Sequence, residues 1–214
     1  MARALTPLEA RLLGVLVEKQ ATVPDTYPLS LNALTAGCNQ KTARDPVMNA
    51  TEAEVLAAID GLKSMSLVFE GSGSRVVRFE HNMGRGLNVP SQAVALLALL
   101  ILRGPQTAAE LRLYTERLHR FADISSVEAF LDELAERFPP RVVKLPRAPG
   151  EREPRWAHLL CGEVAVPAAA AATSDGSVTA GELSALKAEQ ARLSAEVAEL
   201  RTLVQRMANE LGLQ

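Results

Sequence analysis

The side chains of this 214-residue chain that are best placed to do chemistry are basic groups in its loops and turns. Seven of them fall in a polar loop, beside a Gly-Ser turn or around a proline-rich stretch: Lys41, Arg44, Arg75, Arg78, Arg147, Arg152 and Arg155. Guanidinium and ammonium groups at such positions commonly bind phosphate oxygens. We therefore predict that this set contacts a nucleic-acid backbone. The alternative for each residue is an ordinary solvated hairpin charge.

Patterns that would indicate catalysis or metal binding are missing from the sequence. It contains no GxSxG, P-loop or HExxH motif, and His81, His119 and His158 are far apart. Cys38 would be reactive only if a following helix lowered its pKa, and a buried inert thiol is the alternative. We therefore expect a protein that is not an enzyme, with no catalytic residue, metal or cofactor.

An internal repeat indicates how the chain is organised. Val55-Leu-Ala-Ala-Ile-Asp-Gly-Leu62 returns 72 positions later as Val127-Glu-Ala-Phe-Leu-Asp-Glu-Leu134. Each copy is followed by a β-branched segment, a turn-rich stretch and a second strand-like run. Helices followed by a two-stranded hairpin are the layout of a winged helix-turn-helix, and the chain is predicted to contain two.

The first unit begins with two helices. The capping box Thr6-Pro-Leu-Glu9 starts a helix that is expected to run to about Gln20, with Arg11 on the side away from the core. A second helix is expected at 30–36, and Gly37 is expected to stop it.

A third helix of the first unit occupies the recognition position. It starts at the capping box Thr51-Glu-Ala-Glu54. Its predicted buried face consists of Val55, Leu56, Ile59 and Leu62. A hairpin of strands at 67–69 and 76–79 follows it.

The second unit repeats this order. A helix is predicted from Ser91 to Arg103, and a capping box at Thr107 starts the next. Another box at Ser125 is expected to open a helix that ends at Phe138. Strands at 141–145 and 155–160 then enclose the proline-rich stretch.

Several segments are similar to those of a known family. They read Leu5-Thr-Pro-Leu-Glu-Ala10, Val17 to Lys41, Arg44-Asp-Pro-Val-Met48, Leu102-Arg-Gly-Pro-Gln-Thr107 and Arg141-Val-Val-Lys-Leu-Pro-Arg147. The chain resembles the YceH-type family of uncharacterised bacterial proteins as far as about residue 162. The resemblance implies tandem winged-helix domains without an assigned activity, and it transfers no catalytic or binding residues.

The C-terminal region has a different pattern. An Ala-, Pro- and Ser-rich linker is predicted at 163–179 and a coiled-coil helix at 180–214, after winged-helix domains at 1–86 and 87–162. The helix carries a heptad seam of Leu186, Leu193, Val197, Leu200, Val204, Met207 and Leu211. This seam predicts a homodimer, and the alternative is a helix that folds back onto the winged domains. The predicted fold class is thus α+β, mainly α.

Charge and composition limit the class of partner. The net charge is −2, unlike that of a dedicated DNA-binding domain. The longest apolar run, 93–102, is too short for a membrane span. The N-terminus lacks the apolar core of a signal peptide, and the two cysteines form no CxxC pair, so we expect a cytoplasmic protein.

Two functions remain open from the sequence. Fold analogy favours a DNA-associated regulator that contacts phosphates through its wings. The exposed faces of the two recognition helices are acidic, at positions such as Asp60 and Asp132. That chemistry favours the alternative, a protein-interaction scaffold that uses its acidic helix faces and does not bind DNA.

Overall fold

The computed structural model describes residues 3–71, 76–148 and 150–164, which form helices and short antiparallel strands. These residues belong to the unit Met1–Pro167. Arg75, most of the predicted linker, the predicted C-terminal helix and its seam lie outside the described residues. Within those residues, no helix has both the length and the apolar character that crossing a bilayer requires.

The first repeat consists of three helices and a small sheet. A short 3-10 turn at Pro24–Thr26 follows the first helix. The elements are α1 (Pro7–Thr22), β1 (Leu29–Ser30), α2 (Leu31–Cys38), α3 (Glu52–Ser64), β2 (Val68–Gly71) and β3 (Arg78–His81). The three strands are antiparallel in the order β1-β3-β2.

The second repeat follows a short connecting helix that the sequence patterns did not predict, α4 (Met83–Leu87). Its elements are α5 (Ser91–Arg103), α6 (Ala108–Tyr114), α7 (Ile124–Glu136), β4 (Val142–Lys144) and β5 (Trp156–His158). Gln106 forms a β-bridge with Trp156 between α5 and α6, the position that β1 occupies in the first repeat. Both repeats therefore have the same element order, and the predicted α+β, mainly α class is confirmed.

Capping chemistry sets several helix starts as predicted. The hydroxyls of Thr6, Thr51 and Thr107 each accept a hydrogen bond from the backbone N–H three residues later. The side chain of the glutamate at that later position accepts a hydrogen bond from the backbone N–H of the threonine. The bounds of α5 also agree with the prediction.

Gly37 does not stop the second helix, because α2 continues to Cys38. A Cβ at Gly37 would lie 2.6 Å from Cγ1 of Val15 in α1. The glycine therefore allows α2 to approach α1 closely.

The predicted cap at Ser125 is also wrong. The Asp123 carboxylate caps α7 by accepting a 2.7 Å hydrogen bond from the Ser126 N–H, so Ser125 lies inside the first turn. The helix ends at Glu136, two residues before the predicted Phe138.

The core surrounds α1 on nearly every side. Helices α2, α3 and α5 and strand β3 all contact it, and every residue from Glu9 to Val17 is buried. Arg11 is 1% exposed, so its expected position away from the core is wrong. The amphipathic pattern fails here because α1 packs against both repeats.

Candidate interaction surface

A groove of about 520 Å³ is lined by α3, by the β2–β3 hairpin and by residues 30–32. Its apolar surface includes Leu56, Val76 and Val77, which are 45%, 55% and 48% exposed. Leu56 was predicted to face the core, and that prediction is wrong, since the buried side of α3 consists of Val55, Ala58, Ile59 and Leu62.

Carboxylates lie among the apolar side chains of the groove. Its charged residues are Glu52, Asp60, Glu70 and Lys63. The Lys63 ammonium is 2.5 Å from a carboxylate oxygen of Glu70, and this hydrogen bond raises the pKa of Lys63. Glu52 and Asp60 form no ion pair within the described part of the chain. The groove therefore carries an excess of two negative charges.

Arg44, one of the seven predicted phosphate contacts, is used inside the protein. Its side chain is fully buried, and Nη1 and Nη2 donate to the two Glu18 carboxylate oxygens at 3.1 and 2.6 Å. The remaining N–H groups donate to the carbonyls of Gly37 and Ala43 and to the Gln40 amide oxygen. All five guanidinium donors are occupied. This geometry contradicts a phosphate contact at Arg44, which instead fixes the loop between α2 and α3.

Arg155 and Arg78 also have internal partners. Arg155 donates to Glu151 at 2.9 Å and to Glu110 at 3.0 Å, joining the β4–β5 connection to α6. Arg78 donates to the backbone carbonyls of Thr26 and Pro28. Both side chains keep some exposure, but their hydrogen bonds hold loops in position.

Three members of the predicted set remain open to a partner. Lys41, Arg147 and Arg152 are exposed and form no hydrogen bond or ion pair with the residues that the structure describes. Arg147 and Arg152 lie in the same β4–β5 connection, whereas Lys41 lies in the first repeat. The contact of these three cations with a nucleic-acid backbone stays a prediction.

Burial shifts the pKa values of three groups that could take part in acid-base or thiol chemistry. Burial raises the pKa of Cys38 to about 12, against the opposing charges of Arg11 and Arg44, which contradicts a reactive thiol. Burial also lowers the pKa values of His81 and His158 to about 4, so both are neutral at pH 7. Among the described residues, no three His, Cys, Asp or Glu side chains are grouped as metal ligands.

The internal repeat indicates that Leu56 is exposed, whereas the helical spacing placed Leu56 on the buried face. Leu56 aligns with Glu128 of the second copy, at an exposed position of α7. A repeat position that carries glutamate in one copy faces solvent, so the equivalent leucine should be exposed as well. Two exposed valines on the hairpin complete the apolar surface.

The fold and this surface define a mainly helical α+β protein made of two helix-and-hairpin repeats, the first with an acidic, apolar groove. A family model described as protein of unknown function, DUF480, matches residues 5–151. The chain belongs to this family, and the resemblance to the YceH-type family is confirmed.

Bacterial relatives match nearly the whole chain. A UPF0502 protein of Burkholderia thailandensis is 73% identical over 212 residues, which are 99% of this chain and 91% of that protein. UPF0502 proteins of Burkholderia multivorans and Leptothrix cholodnii are 71% identical over 213 residues and 69% identical over 217 residues. These alignments cover 99% and 100% of this chain and 91% and 98% of the relatives.

Proposed function

We propose that this chain is a non-enzymatic interaction protein with two winged-helix modules, and that the first binds a polypeptide segment with basic and apolar side chains. The order of α1, β1, α2, α3 and the β2–β3 hairpin supports a winged-helix module, as does the β1-β3-β2 sheet. The second repeat has the same order, with the Gln106 bridge in place of the first strand.

The chemistry of the groove supports a protein partner over DNA. In winged-helix DNA-binding proteins the helix equivalent to α3 approaches the major groove, where phosphates surround it. Glu52 and Asp60 would repel phosphates, and Leu56 could not read the polar edges of bases. The same groups suit an amphipathic helix, whose apolar side chains pack on Leu56 and Val77 while its lysines or arginines meet the carboxylates.

Peptide display against the full chain tests this proposal. We expect the enriched peptides to combine apolar residues at helical spacing with lysine or arginine. Leu56→Ser/Asp60→Lys should weaken their binding by about tenfold or more, equivalent to about 1.4 kcal/mol. The matched control, Leu113→Ser/Asp132→Lys, makes the same changes on exposed helix positions of the second repeat and should bind as the wild type does.

If the enriched peptides bind both double variants as tightly as the wild type, they do not use the groove, and the proposal fails. A preference for acidic peptides would contradict the proposed charge complementarity.

DNA association is a second candidate function, supported by the exposed Arg147 and Arg152 on the second hairpin connection. Fluorescence anisotropy with random duplex DNA tests it at several salt concentrations. Arg147→Ala/Arg152→Ala should reduce the salt dependence of log Kd by about 1 for each residue removed. Arg85→Ala/Arg117→Ala removes two exposed charges elsewhere and serves as the control. Absence of binding at low salt would eliminate this candidate.

The C-terminal heptad seam supports dimerisation as part of this function. Leu193→Lys and Leu200→Lys would each bury a lysine in the predicted seam, so the double variant should sediment as a monomer if the wild type is a dimer. A wild-type chain that sediments as a monomer at high concentration would contradict the dimer.

A further inference from the structure

A second concave site lies where the two repeats meet. An open cavity of about 300 Å³ is lined by residues of α1, the loop after α2, the end of α5, β5 and the segment 161–164. Its volume is at the lower end of the range for small-molecule sites. Most of its wall is apolar, including Ala10, Met48, Leu100, Ile101 and Ala157.

Arg11 supplies a buried positive charge to this cavity. It is 1% exposed and donates to the backbone carbonyls of Cys38 at 3.3 Å and Pro46 at 2.7 Å. These bonds use two of its five N–H donors, and the buried Nε has no hydrogen-bond partner among the residues that the structure describes. In contrast to Arg44, Arg11 forms no ion pair with a carboxylate among the described residues.

Leaving a buried cation incompletely paired is costly. Burial lowers the pKa of Arg11, and the charge of Arg44 lowers it further, while Cys38 and Asp45 act in the opposite direction. His158 also lines the cavity, and its buried Nδ1 likewise lacks a partner within the described part of the chain. A negatively charged ligand group would pair with the buried charge of Arg11.

The cavity is also lined by groups of the opposite charge. Asp45 and Glu163 line it and are both exposed, whereas Arg11 is buried. The cavity lining therefore combines a buried positive charge, two exposed negative charges and a mostly apolar wall. The two carboxylates would repel a simple anion, and a simple cation would leave Arg11 unpaired.

We propose that this cavity is a binding site for a small apolar α-amino acid. Its carboxylate would accept hydrogen bonds from the free donors of Arg11, its ammonium group would lie near Asp45 and Glu163, and its side chain would pack on the apolar wall. The site is separate from the α3 groove, and the two proposals can succeed or fail independently.

Three matched probes test the proposed charge pattern by NMR titration of the full chain. L-Valine carries both charged groups, isovalerate lacks the ammonium group, and isobutylamine lacks the carboxylate. We expect saturable shifts of the Ala10, Gly104 and Ala157 amides with L-valine, at least about tenfold weaker binding of isovalerate, and no saturation with isobutylamine. If none of the probes saturates these shifts at millimolar concentrations, or if isovalerate binds as well as L-valine, the proposal is wrong.

Substitutions in the cavity lining test whether L-valine binds there. Arg11→Met removes the buried charge and should abolish saturation by L-valine, whereas Arg117→Met, an exposed control, should leave it unchanged. Met48→Trp narrows the cavity from a half-buried loop position and keeps Arg11, so it tests the site even if Arg11→Met does not fold. Saturation that persists in folded Met48→Trp with unchanged affinity would place the ligand elsewhere and overturn the assignment.

Discussion

Arg11 and Arg44 are neighbouring buried cations with different roles. Arg44 joins the loop after α2 to Glu18 of α1, and every one of its donors is occupied. Arg11 lines a cavity and has N–H donors for which residues 3–71, 76–148 and 150–164 supply no acceptor. Glu18 offsets the charge of Arg44. The Glu18–Arg44 pair should therefore contribute strongly to the stability of the contact between α1 and the loop after α2.

We predict that Glu18→Gln destabilises the protein by about 3 kcal/mol at pH 7, because it removes one partner of a buried ion pair and leaves the other charged. Chemical unfolding measures this free energy. Glu128→Gln, at an exposed position of α7, should change it by less than about 0.5 kcal/mol. Equal effects of the two substitutions would show that the Arg44 pair contributes no special stability.

The same pair predicts a pH dependence. Burial opposes ionisation of Glu18, but the hydrogen bonds and charge of Arg44, with Lys19, hold the pKa of Glu18 below its ordinary value of 4.5. A carboxyl group with a lowered pKa stabilises the fold above its unfolded-state pKa and loses that contribution as pH falls through its folded-state pKa. The difference in unfolding free energy between wild type and Glu18→Gln should therefore shrink below about pH 4.5.

The two thiols should differ in accessibility. Burial raises the pKa values of both, but Cys38 is completely buried while Cys161 is partly exposed. Iodoacetamide should label Cys161 slowly in the native protein and Cys38 only after unfolding. Mass spectrometry of peptides from native and denatured samples checks the order, and native labelling of Cys38 first would contradict the described packing.

At the level of elements, capping chemistry makes a direct prediction for α7. Asp123→Ala should destabilise the protein by about 1 kcal/mol, because it removes the acceptor for the Ser126 N–H. Ser125→Ala should have a much smaller effect, since this residue is exposed inside the first turn. Urea unfolding of the two variants distinguishes the caps, and a larger effect at Ser125 would contradict the structure.

Local signals predicted the elements better than they predicted which surfaces are exposed. The threonine caps and the bounds of α5 depend on residues close in sequence, so they could be read directly. The burial of Arg11 and the exposure of Leu56 depend on elements far along the chain. The pairing of Arg44 with Glu18 across 26 positions is equally nonlocal. The candidate cations could therefore be named, but their division into structural and exposed groups required the tertiary structure.

At the level of the whole described unit, the two repeats share one core. Helices α1 and α5 pack directly on each other, and the buried residues of both repeats form one cluster. The cavity beside Arg11 lies along this contact. The repeats should therefore unfold together, with coincident transitions monitored by Trp156 fluorescence in the second repeat and by the helical signal of the chain.

Gly14 makes this close contact possible. A Cβ at this position would lie 3.0 Å from Cγ2 of Ile101 and 3.1 Å from the Leu102 side chain. Gly14→Val should therefore push α1 away from α5 and destabilise the protein by about 1 to 3 kcal/mol, despite the better intrinsic helix propensity of valine. Ala57→Val introduces the same side chain at an exposed position of α3 and should have little effect. If the unfolding transitions of the two repeats separate in folded Gly14→Val, the contact between α1 and α5 couples the unfolding of the repeats. If the stability is unchanged, α1 and α5 tolerate a wider separation than their packing indicates.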